Sequence, residues 1–290
     1  MSTYAISDVH GCFEQLQALL DKVSPSAEDH VYVLGDLLDR GPQSAEALVW
    51  ATTEAPKNCH FMLGNHEDMA GCVVCRNPVD IKLSSGWGNE DPWGYNGGWE
   101  TAEQLMNRTD PDWRRDVLVP WLRQLSPYSV VTVGERELML VHAGFDPSEW
   151  DDKARFWCDQ MTDKLAHRQQ VDVGHGFGKQ LEQDMIWARE GWYDYTGDIP
   201  MVTIFGHTPT VYLTRQMEME RRWYSSPREA DTALDGTWLS TVPTESGRIW
   251  RNESYGNARI DIDCGCAYGG RLAALRLDDM EEFYVDGLTD

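Results

Sequence analysis

The sequence predicts an α/β fold built on a parallel sheet, and three observations predict it. Short apolar runs at residues 4–6, 31–34 and 60–63 have the length and composition of buried strands. Segments with helical spacing of apolar side chains separate these runs, and a strand–helix–strand order implies parallel pairing through right-handed crossovers. Each run is followed by a turn rich in Asp, Asn and His, and the three turns are almost evenly spaced. Because the carboxyl ends of parallel strands share one edge of a sheet, the turns are expected to form one site.

A helix is expected after each of the three strands. Residues 13–23 carry apolar side chains at helical spacing. Pro42 suits the first turn of the second helix, because its fixed φ angle and missing N–H cost nothing there. The third helix is expected from about Asn65 to Cys75.

Residues 84–100 interrupt this alternation with closely spaced glycines and aromatic rings, among them Trp87, Trp93 and Trp99. This composition predicts a loop, because clustered glycines disfavour both helix and strand. A loop of this length is often functional. Two interpretations remain open, a loop packed on its own tryptophans and a lid over a substrate.

The second half of the chain predicts a mixture of helices and strands. A β-hairpin leads into His142, and a later strand ends at His207. The charged, Trp-rich residues 214–252 show weak periodicity and predict no element. No repeat or linker divides residues 1–290, so a single domain is expected. The predicted elements are a helical region at 101–125, a hairpin at 129–141, a polar helix at 151–181, a strand at 201–205, and closing antiparallel strands at 260–263 and 272–277.

Composition and charge exclude several classes of partner. The chain has 290 residues, with 48 Asp and Glu against 25 Lys and Arg, which gives a net charge of −23. Nucleic acid is not expected as a partner, because this charge repels a phosphate backbone. Seven cysteines in no regular framework indicate reduced thiols and a cytoplasmic location. No apolar span of about 18 residues and no secretory leader pattern are present, so no membrane partner is expected. The oligomeric state is left open.

The Asp, Asn and His side chains of five turns are ligands for hard divalent cations. The turns lie at residues 7–11, 35–41, 64–68, 141–144 and 205–209. A carboxylate has two oxygens, so one Asp can bridge two ions. The first ion would be held by Asp8, His10 and Asp36, and the second by Asp36, Asn65, His142 and His207.

This ligand set predicts phosphate ester hydrolysis. Two ions about 3.5–4 Å apart can share a hydroxide and stabilise an in-line displacement at phosphorus. His66 is the candidate general acid for the leaving oxygen, and Asp39 is positioned to orient its ring. Arg40 would hold phosphate oxygens through its guanidinium, together with the Asn65 side chain. Arg189 is a second candidate phosphate ligand, supported only by a short Trp-x-Arg context.

These motifs resemble those of the metallophosphoesterase superfamily, and specifically the bacterial serine/threonine phosphatases of its phosphoprotein phosphatase branch. The resemblance implies a calcineurin-like fold, with two mixed β-sheets packed face to face and flanked by helices. It also implies two divalent ions, manganese first or an iron–zinc pair as the alternative, and the residue roles given above. The matching motifs are Asp8-x-His10-Gly11, Gly35-Asp36-x-x-Asp39-Arg40-Gly41, Gly64-Asn65-His66-Glu67, His142-Ala143-Gly144 and Gly206-His207.

The resemblance implies a metal-dependent phosphomonoesterase acting on phosphoserine and phosphothreonine, with phosphotyrosine as a further candidate. Its substrate would be a phosphoprotein or a phosphorylated small molecule. The alternative is a symmetrical dinucleoside tetraphosphate hydrolase or another nucleotide phosphoesterase, whose bases could stack on the rings of residues 84–100. The complete Asp39-Arg40-Gly41 sequence favours the phosphatase, since the tetraphosphate hydrolases usually depart from it. A scaffold without catalysis is disfavoured, because none of the ligand or acid histidines is replaced.

Overall fold

Two mixed five-stranded sheets form the centre of the molecule. The computed structural model describes residues 1–83, 92–145, 185–189, 192–193, 199, 201–213, 247–252 and 259–289. The strands are β1 (Thr3–Ile6), β2 (His30–Val33), β3 (Cys59–Phe61), β4 (Tyr128–Val133), β5 (Arg136–Val141), β6 (Val202–Phe205), β7 (Trp250–Arg251), β8 (Arg259–Asp261), β9 (Arg271–Arg276) and β10 (Glu281–Asp286).

The helices lie mainly between the first strands and before the β4–β5 hairpin. Short π-helical turns extend or join several of them, and a 3₁₀ turn precedes β9. The helices are α1 (Phe13–Val23), α2 (Ser44–Val49), α3 (Asn65–Val74), α4 (Trp99–Arg108), α5 (Pro111–Trp113) and α6 (Val119–Leu122), with π-helical turns at Trp50–Glu54, Gly94–Gly98 and Arg114–Leu118 and the 3₁₀ turn at Cys266–Tyr268.

The first sheet has the strand order β10-β9-β1-β2-β3. Strands β1, β2 and β3 pair in parallel, as the βαβ alternation predicts. Strand β9 pairs antiparallel with β1, and β10 pairs antiparallel with β9. The edge strand β10 was not predicted, because its residues are partly exposed and form no apolar run.

The second sheet has the order β4-β5-β6-β8-β7. The predicted hairpin is confirmed as β4 and β5, which turn at Gly134 with a positive φ of 63°. Strands β5, β6 and β8 are parallel. The predicted antiparallel strand at 260–263 corresponds to β8, which pairs antiparallel with β7 but parallel with β6. The predicted direction is therefore wrong for the pairing with β6. Strand direction depends on the path of the preceding connection, which the residues of the strand do not encode.

Alternating side chains place one core between the sheets and another against the helices. In β1, Ala5 joins the cluster between the sheets with Leu34, Leu140 and Ile204. The neighbouring Ile6 points the other way and packs with Leu16 of α1. This period of two is the property that lets a strand face two cores. The predicted α/β architecture of two mixed sheets with flanking helices is confirmed.

The aromatic segment differs from its prediction. Residues 92–100 form two helical pieces, the second of which begins α4 at Trp99. A kink joins them at Asn96 and Gly97, where the backbone is not helical and Gly97 has a φ of +100°. The expected loop is thus wrong for the helical pieces, because α4 and the fully buried Trp93 pack into the helical core. At Asn96 and Gly97 the backbone is irregular, as the glycine content predicts. The first part of the predicted loop, with Trp87, lies outside the described residues.

Three further sequence expectations have different outcomes. The helical region at 101–125 is confirmed in several pieces, and α4 is followed by a break at Thr109 and by an N-cap in which Asp110 accepts the Asp112 N–H at 2.7 Å. The predicted helix at 151–181 lies outside the described residues, as does most of segment 214–252.

No helix in the part of the chain that the structure describes is long and apolar enough to span a bilayer.

Candidate metal centre

The turns that follow five strands converge at one edge of the two sheets. Turns after β1, β2 and β3 come from the first sheet, and turns after β5 and β6 come from the second. The six predicted ligands that they contribute are at most 4% exposed, so this part of the site is buried. The six predicted ligands are brought together here: Asp8, His10, Asp36, Asn65, His142 and His207.

Unusual backbone conformations cluster in these turns. Eight non-glycine residues in the described part of the chain have a positive φ, and six of them are predicted site residues. This region of φ is disfavoured for a residue with a Cβ atom and is retained mainly where the surrounding structure enforces it. The clustering therefore marks these turns as functional. The six residues and their φ angles are Asp8 (54°), His10 (47°), Asp36 (54°), Asp39 (74°), Arg40 (70°) and His207 (73°).

Two glycines make room for the aspartates at the centre of the site. A Cβ atom on Gly64 would lie 2.3 Å from Asp36 Oδ1, and one on Gly206 would lie 2.1 Å from Asp8 Oδ2. Both distances are far below van der Waals contact. The motifs need glycine at these positions so that backbone from another strand can approach the carboxylates.

The first group of ligands surrounds His10. Its Nδ1 lies 3.0 Å from the carbonyl oxygen of Leu38, which fixes the proton on Nδ1 and turns the Nε2 lone pair into the site. Nε2 lies 3.5 Å from Asp36 Oδ2 and 3.8 Å from Asp8 Oδ1. Asp8 Oδ1 is buried and has no hydrogen-bond partner among the described residues. A cation between these atoms would satisfy that oxygen.

The second group lies on the other side of Asp36. His142 donates from Nδ1 to the Leu34 carbonyl oxygen at 2.9 Å, and its Nε2 lies 3.4 Å from Asp36 Oδ1. Asn65 Oδ1 is 3.0 Å from His142 Nε2 and 3.0 Å from His207 Nδ1. Oxygen and imidazole nitrogen atoms thus converge on one point, as the donor set of a divalent cation does.

The donor atoms fall into two groups that share Asp36. The ligand atoms of His10, Asp36 and His66 lie within 4.8 Å of one another, and so do those of Asp36, His142 and His207. The donor types, the buried oxygen of Asp8 without a partner and the orientation of the histidines fit two divalent cations. By distance alone, His66 could also be a ligand in the first group, because its Nε2 lies 3.8 Å from Asp36 Oδ2.

An arginine contacts one histidine of each group. Arg40 Nη1 lies against the ring nitrogens of His10, and Arg189 Nε–H donates to His207 Nε2 at 2.9 Å. A cation at His10 Nε2 requires the flexible Arg40 side chain to turn away from the ring. Both guanidinium groups are then available at the surface of the site, where phosphate oxygens would lie.

His66 is held by a chain of buried hydrogen bonds. Its Nδ1 lies 2.6 Å from Asp39 Oδ2, and both groups are fully buried. Trp93 Nε1–H donates to the same carboxylate, at 2.9 Å to Oδ2 and 3.1 Å to Oδ1. His66 Nε2 has no hydrogen-bond partner in the described part of the chain. The ring is thus oriented at one nitrogen and free at the other, as a proton donor requires.

Glu67 ties two of the turns together. Its carboxylate accepts the backbone N–H groups of Asp36 and Leu37, both at 2.8 Å, and that of Gly64 at 3.0 Å. It thereby closes the N-terminus of α3 and fixes the turn that carries Asp36. The role was missed from sequence, although the position of Glu67 three residues after Gly64 is a capping signal.

Buried charge shapes the pKa values of the site. Burial, together with the Asp36 charge, raises the pKa of Asp8 and raises that of Glu67 to about 7. Burial alone would lower the pKa of His142, but the carboxylates around it raise that pKa to about 9. Burial would also raise the pKa of Asp36, but His142 and His66 hold it well below its ordinary value. A bound cation would supply the positive charge that this cluster of carboxylates favours.

Comparisons with known proteins agree with this geometry. The family model described as calcineurin-like phosphoesterase matches residues 1–235. A bis(5'-nucleosyl)-tetraphosphatase, symmetrical, of Methylobacillus flagellatus is 26% identical over 302 residues, covering 98% of this chain and 95% of that protein. The fold is similar to a crystal structure described as a candidate diadenosine tetraphosphatase, with a TM-score of 0.54, 18% identity and coverage of 100% and 95%. It is also similar to a serine/threonine phosphatase of Saccharomyces cerevisiae, with a TM-score of 0.52, 12% identity and coverage of 100% and 81%.

Proposed function

We propose a specific reaction for this chain, which belongs to the calcineurin-like phosphoesterase family and is a phosphoric ester hydrolase: the symmetrical hydrolysis of dinucleoside tetraphosphates. The observation that carries the proposal is a similarity that runs the whole length of both proteins. The Methylobacillus flagellatus tetraphosphatase aligns with 98% of this chain, beyond the residues of the candidate metal centre. This full-length similarity favours a dinucleoside tetraphosphate hydrolase over the phosphoprotein phosphatase that the motifs alone suggested.

The six predicted ligands are proposed to hold two divalent cations, with manganese as the first candidate. Asp36 would contact both ions, because its Oδ2 faces His10 and its Oδ1 faces His142. When bound, two such ions supply Lewis acidity toward a phosphoryl group and a nucleophile near neutral pH. The remaining steps depend on side chains of this chain.

Arg40 and Arg189 are proposed to bind the phosphate chain. Each arginine already contacts a histidine of one ligand group, so its guanidinium reaches the surface of the centre. A guanidinium offers paired N–H donors to phosphate oxygens and keeps its charge at any physiological pH. In the proposed reaction, water adds to the second phosphorus, and the bond from that phosphorus to the central bridging oxygen breaks. Both products are nucleoside diphosphates.

A second candidate function is supported by the His66–Asp39 pair. The diphosphate that leaves a tetraphosphate is a weak base, with a pKa of about 6, and needs little protonation. The alkoxide of a serine or threonine side chain is far more basic and needs a proton donor as its bond to phosphorus breaks. A buried, oriented histidine with a free Nε2 is therefore of most use to a phosphomonoesterase acting on phosphoserine or phosphothreonine.

Parallel rate measurements test the proposal. The purified protein is expected to convert diadenosine tetraphosphate entirely to ADP in the presence of Mn²⁺, with a kcat/KM at least about 100-fold above that for a phosphoserine peptide, and a chelator should abolish the reaction. Chromatography of the nucleotides distinguishes symmetrical cleavage from the formation of AMP and ATP. Faster turnover of the peptide would reject the proposal in favour of the phosphatase.

Replacement of Trp93 with Phe should lower kcat toward a phosphoserine peptide by about 10- to 100-fold, the range seen when supporting hydrogen bonds are removed from a site. The buried Asp39 carboxylate would lose the indole donor and, among the described residues, keep only His66 as a side-chain partner. Steady-state kinetics and a thermal unfolding curve are the measurements. Trp113 provides a matched control, because its Nε1 has no hydrogen-bond partner among the described residues. An equal loss of kcat in Trp113→Phe would contradict the role given to the indole N–H.

A further inference from the structure

A tyrosine accompanies Arg40 at the surface of the metal centre. The Arg40 guanidinium carbon lies 5.3 Å from the centre of the Tyr268 ring, a distance at which a cation is attracted to an aromatic face. Tyr268 ends the 3₁₀ turn Cys266–Tyr268 and is followed by Gly269 at a φ of +76°. Tyr212 holds the ring from another side, edge to face at 5.3 Å. Tyr268 nevertheless remains 39% exposed, so part of its ring faces solvent.

A tryptophan lies beside the opposite ligand group. The Trp187 ring packs edge to face on His207, with 5.9 Å between ring centres, and is 38% exposed. Arg189 follows two residues later and donates to the same histidine at 2.9 Å. A short stretch of chain therefore places both a ring and a guanidinium at His207.

The two sides of the centre repeat one arrangement. His10 has Arg40 with an exposed tyrosine, and His207 has Arg189 with an exposed tryptophan. His10 and His207 belong to the two ligand groups that share only Asp36. One guanidinium and one aromatic ring thus lie on each side of the central aspartate. A dinucleoside polyphosphate has a matching order: a base at each end and anionic phosphates between.

We infer that Tyr268 and Trp187 are stacking sites for the two nucleobases of a dinucleoside polyphosphate. The inference rests on the proposed function and names the residues that would recognise its substrate. Stacking on an aromatic ring tolerates any base, because every base has a π face. The arginines hold the phosphates, and each ring extends the site outward by one nucleoside.

Trp93 and Trp99 are less suited to this role. Trp93 is fully buried and uses its N–H for Asp39. Trp99 is 46% exposed, but it lines a separate groove with Ile81, Leu83 and Met106. The stacking of bases on residues 84–100 that the sequence suggested is therefore not supported for these two rings, and Trp87 lies outside the described residues.

Competition against a base-free reporter tests the inference. Hydrolysis of an aryl phosphate is measured in the presence of diadenosine tetraphosphate or of inorganic tetraphosphate, which has the phosphates without the bases. The ratio of the two inhibition constants isolates base binding, since any disturbance of Arg40 or of the metals affects both inhibitors. Tyr268→Leu and Trp187→Leu should each weaken inhibition by the dinucleotide about 5- to 150-fold and change inhibition by inorganic tetraphosphate less than about twofold.

Three matched variants complete the test. Tyr268→Phe and Trp187→Phe keep a ring and should retain most of the wild-type preference for the dinucleotide. Trp99→Leu removes an exposed ring in the separate groove and should retain all of it. Equal losses for both inhibitors in the leucine variants, or no preference for the dinucleotide in the wild type, would overturn the inference. The formation of ADP from diadenosine tetraphosphate is measured separately. If ADP forms but the leucine variants leave the ratio of the two inhibition constants unchanged, only the stacking sites are rejected. If the ratio changes but no ADP forms, only the proposed reaction is rejected.

Discussion

Replacing His66 with Asn is expected to lower kcat toward a phosphoserine peptide by about 10²–10⁴-fold, the range that a general acid contributes. With diadenosine tetraphosphate the loss should be less than about 10-fold, because the leaving diphosphate has a pKa of about 6 and departs without a proton. The comparison of the two substrates in one variant shows how far the reaction depends on protonation of the leaving oxygen. Steady-state rates at saturating substrate are the measurement.

The metal content of this variant decides between two roles of His66. Its Nε2 lies 3.8 Å from Asp36 Oδ2, close enough to the first ligand group for a ligand. Elemental analysis should nevertheless find the same metal content as in the wild type, about two ions per chain. Loss of an ion would show that His66 is a ligand and that the acid lies elsewhere. His60→Asn is the matched control, since His60 stacks on Tyr32 outside the site and should leave both rates unchanged.

Replacing Asp36 with Asn is expected to have the second large effect, because both ligand groups share this carboxylate. The variant should retain less than one ion per chain and lose more than about 100-fold in activity on every substrate, beyond the 10- to 100-fold range for residues that only support ligands. Unfolding gives a readout independent of activity. A cation at 100 times its Kd stabilises the folded state by about 2.7 kcal/mol, which should raise the wild-type Tm by several degrees. The Asp36→Asn Tm should not respond to Mn²⁺.

Asp21→Asn makes the same chemical change at an exposed position of α1. It should bind metal and respond to Mn²⁺ as the wild type does. If Asp36→Asn kept two ions and a normal Tm shift, the two ligand groups would not share this aspartate. The division of the site around Asp36 would then be wrong.

The parts of the site that sequence could predict are those with local signals. Asp8, Asp36 and His142 each follow an apolar run within a short glycine-containing turn, so the residues of one turn define one position. The convergence of Asp8 and Asp36 also follows from sequence, because parallel strands end at the same edge. His142 follows a strand of the second sheet and meets them only because the two sheets pack together. The chemistry expected of the site therefore required no knowledge of distant contacts.

Other features depend on how distant segments pack. Trp93 reaches Asp39 across 54 residues of chain, and no pattern around either residue indicates the contact. The helical pieces on either side of the Asn96–Gly97 kink have the same origin, since burial of Trp93 outweighs the preference of clustered glycines for a loop. The parallel pairing of β8 with β6 was mispredicted for a related reason: its direction is set by a connection.

By itself, the sequence determined the α/β fold, the five turns that carry the candidate metal ligands and the chemistry of phosphate ester hydrolysis, because each depends on residues that are close together in the chain. Only the tertiary structure decided that Trp93 supports the Asp39–His66 pair and that Tyr268 and Trp187 stand beside the two arginines. The physical reason is that the chemistry of a ligand is a property of its side chain, whereas the surroundings of a substrate depend on which remote surfaces come into contact when the chain folds.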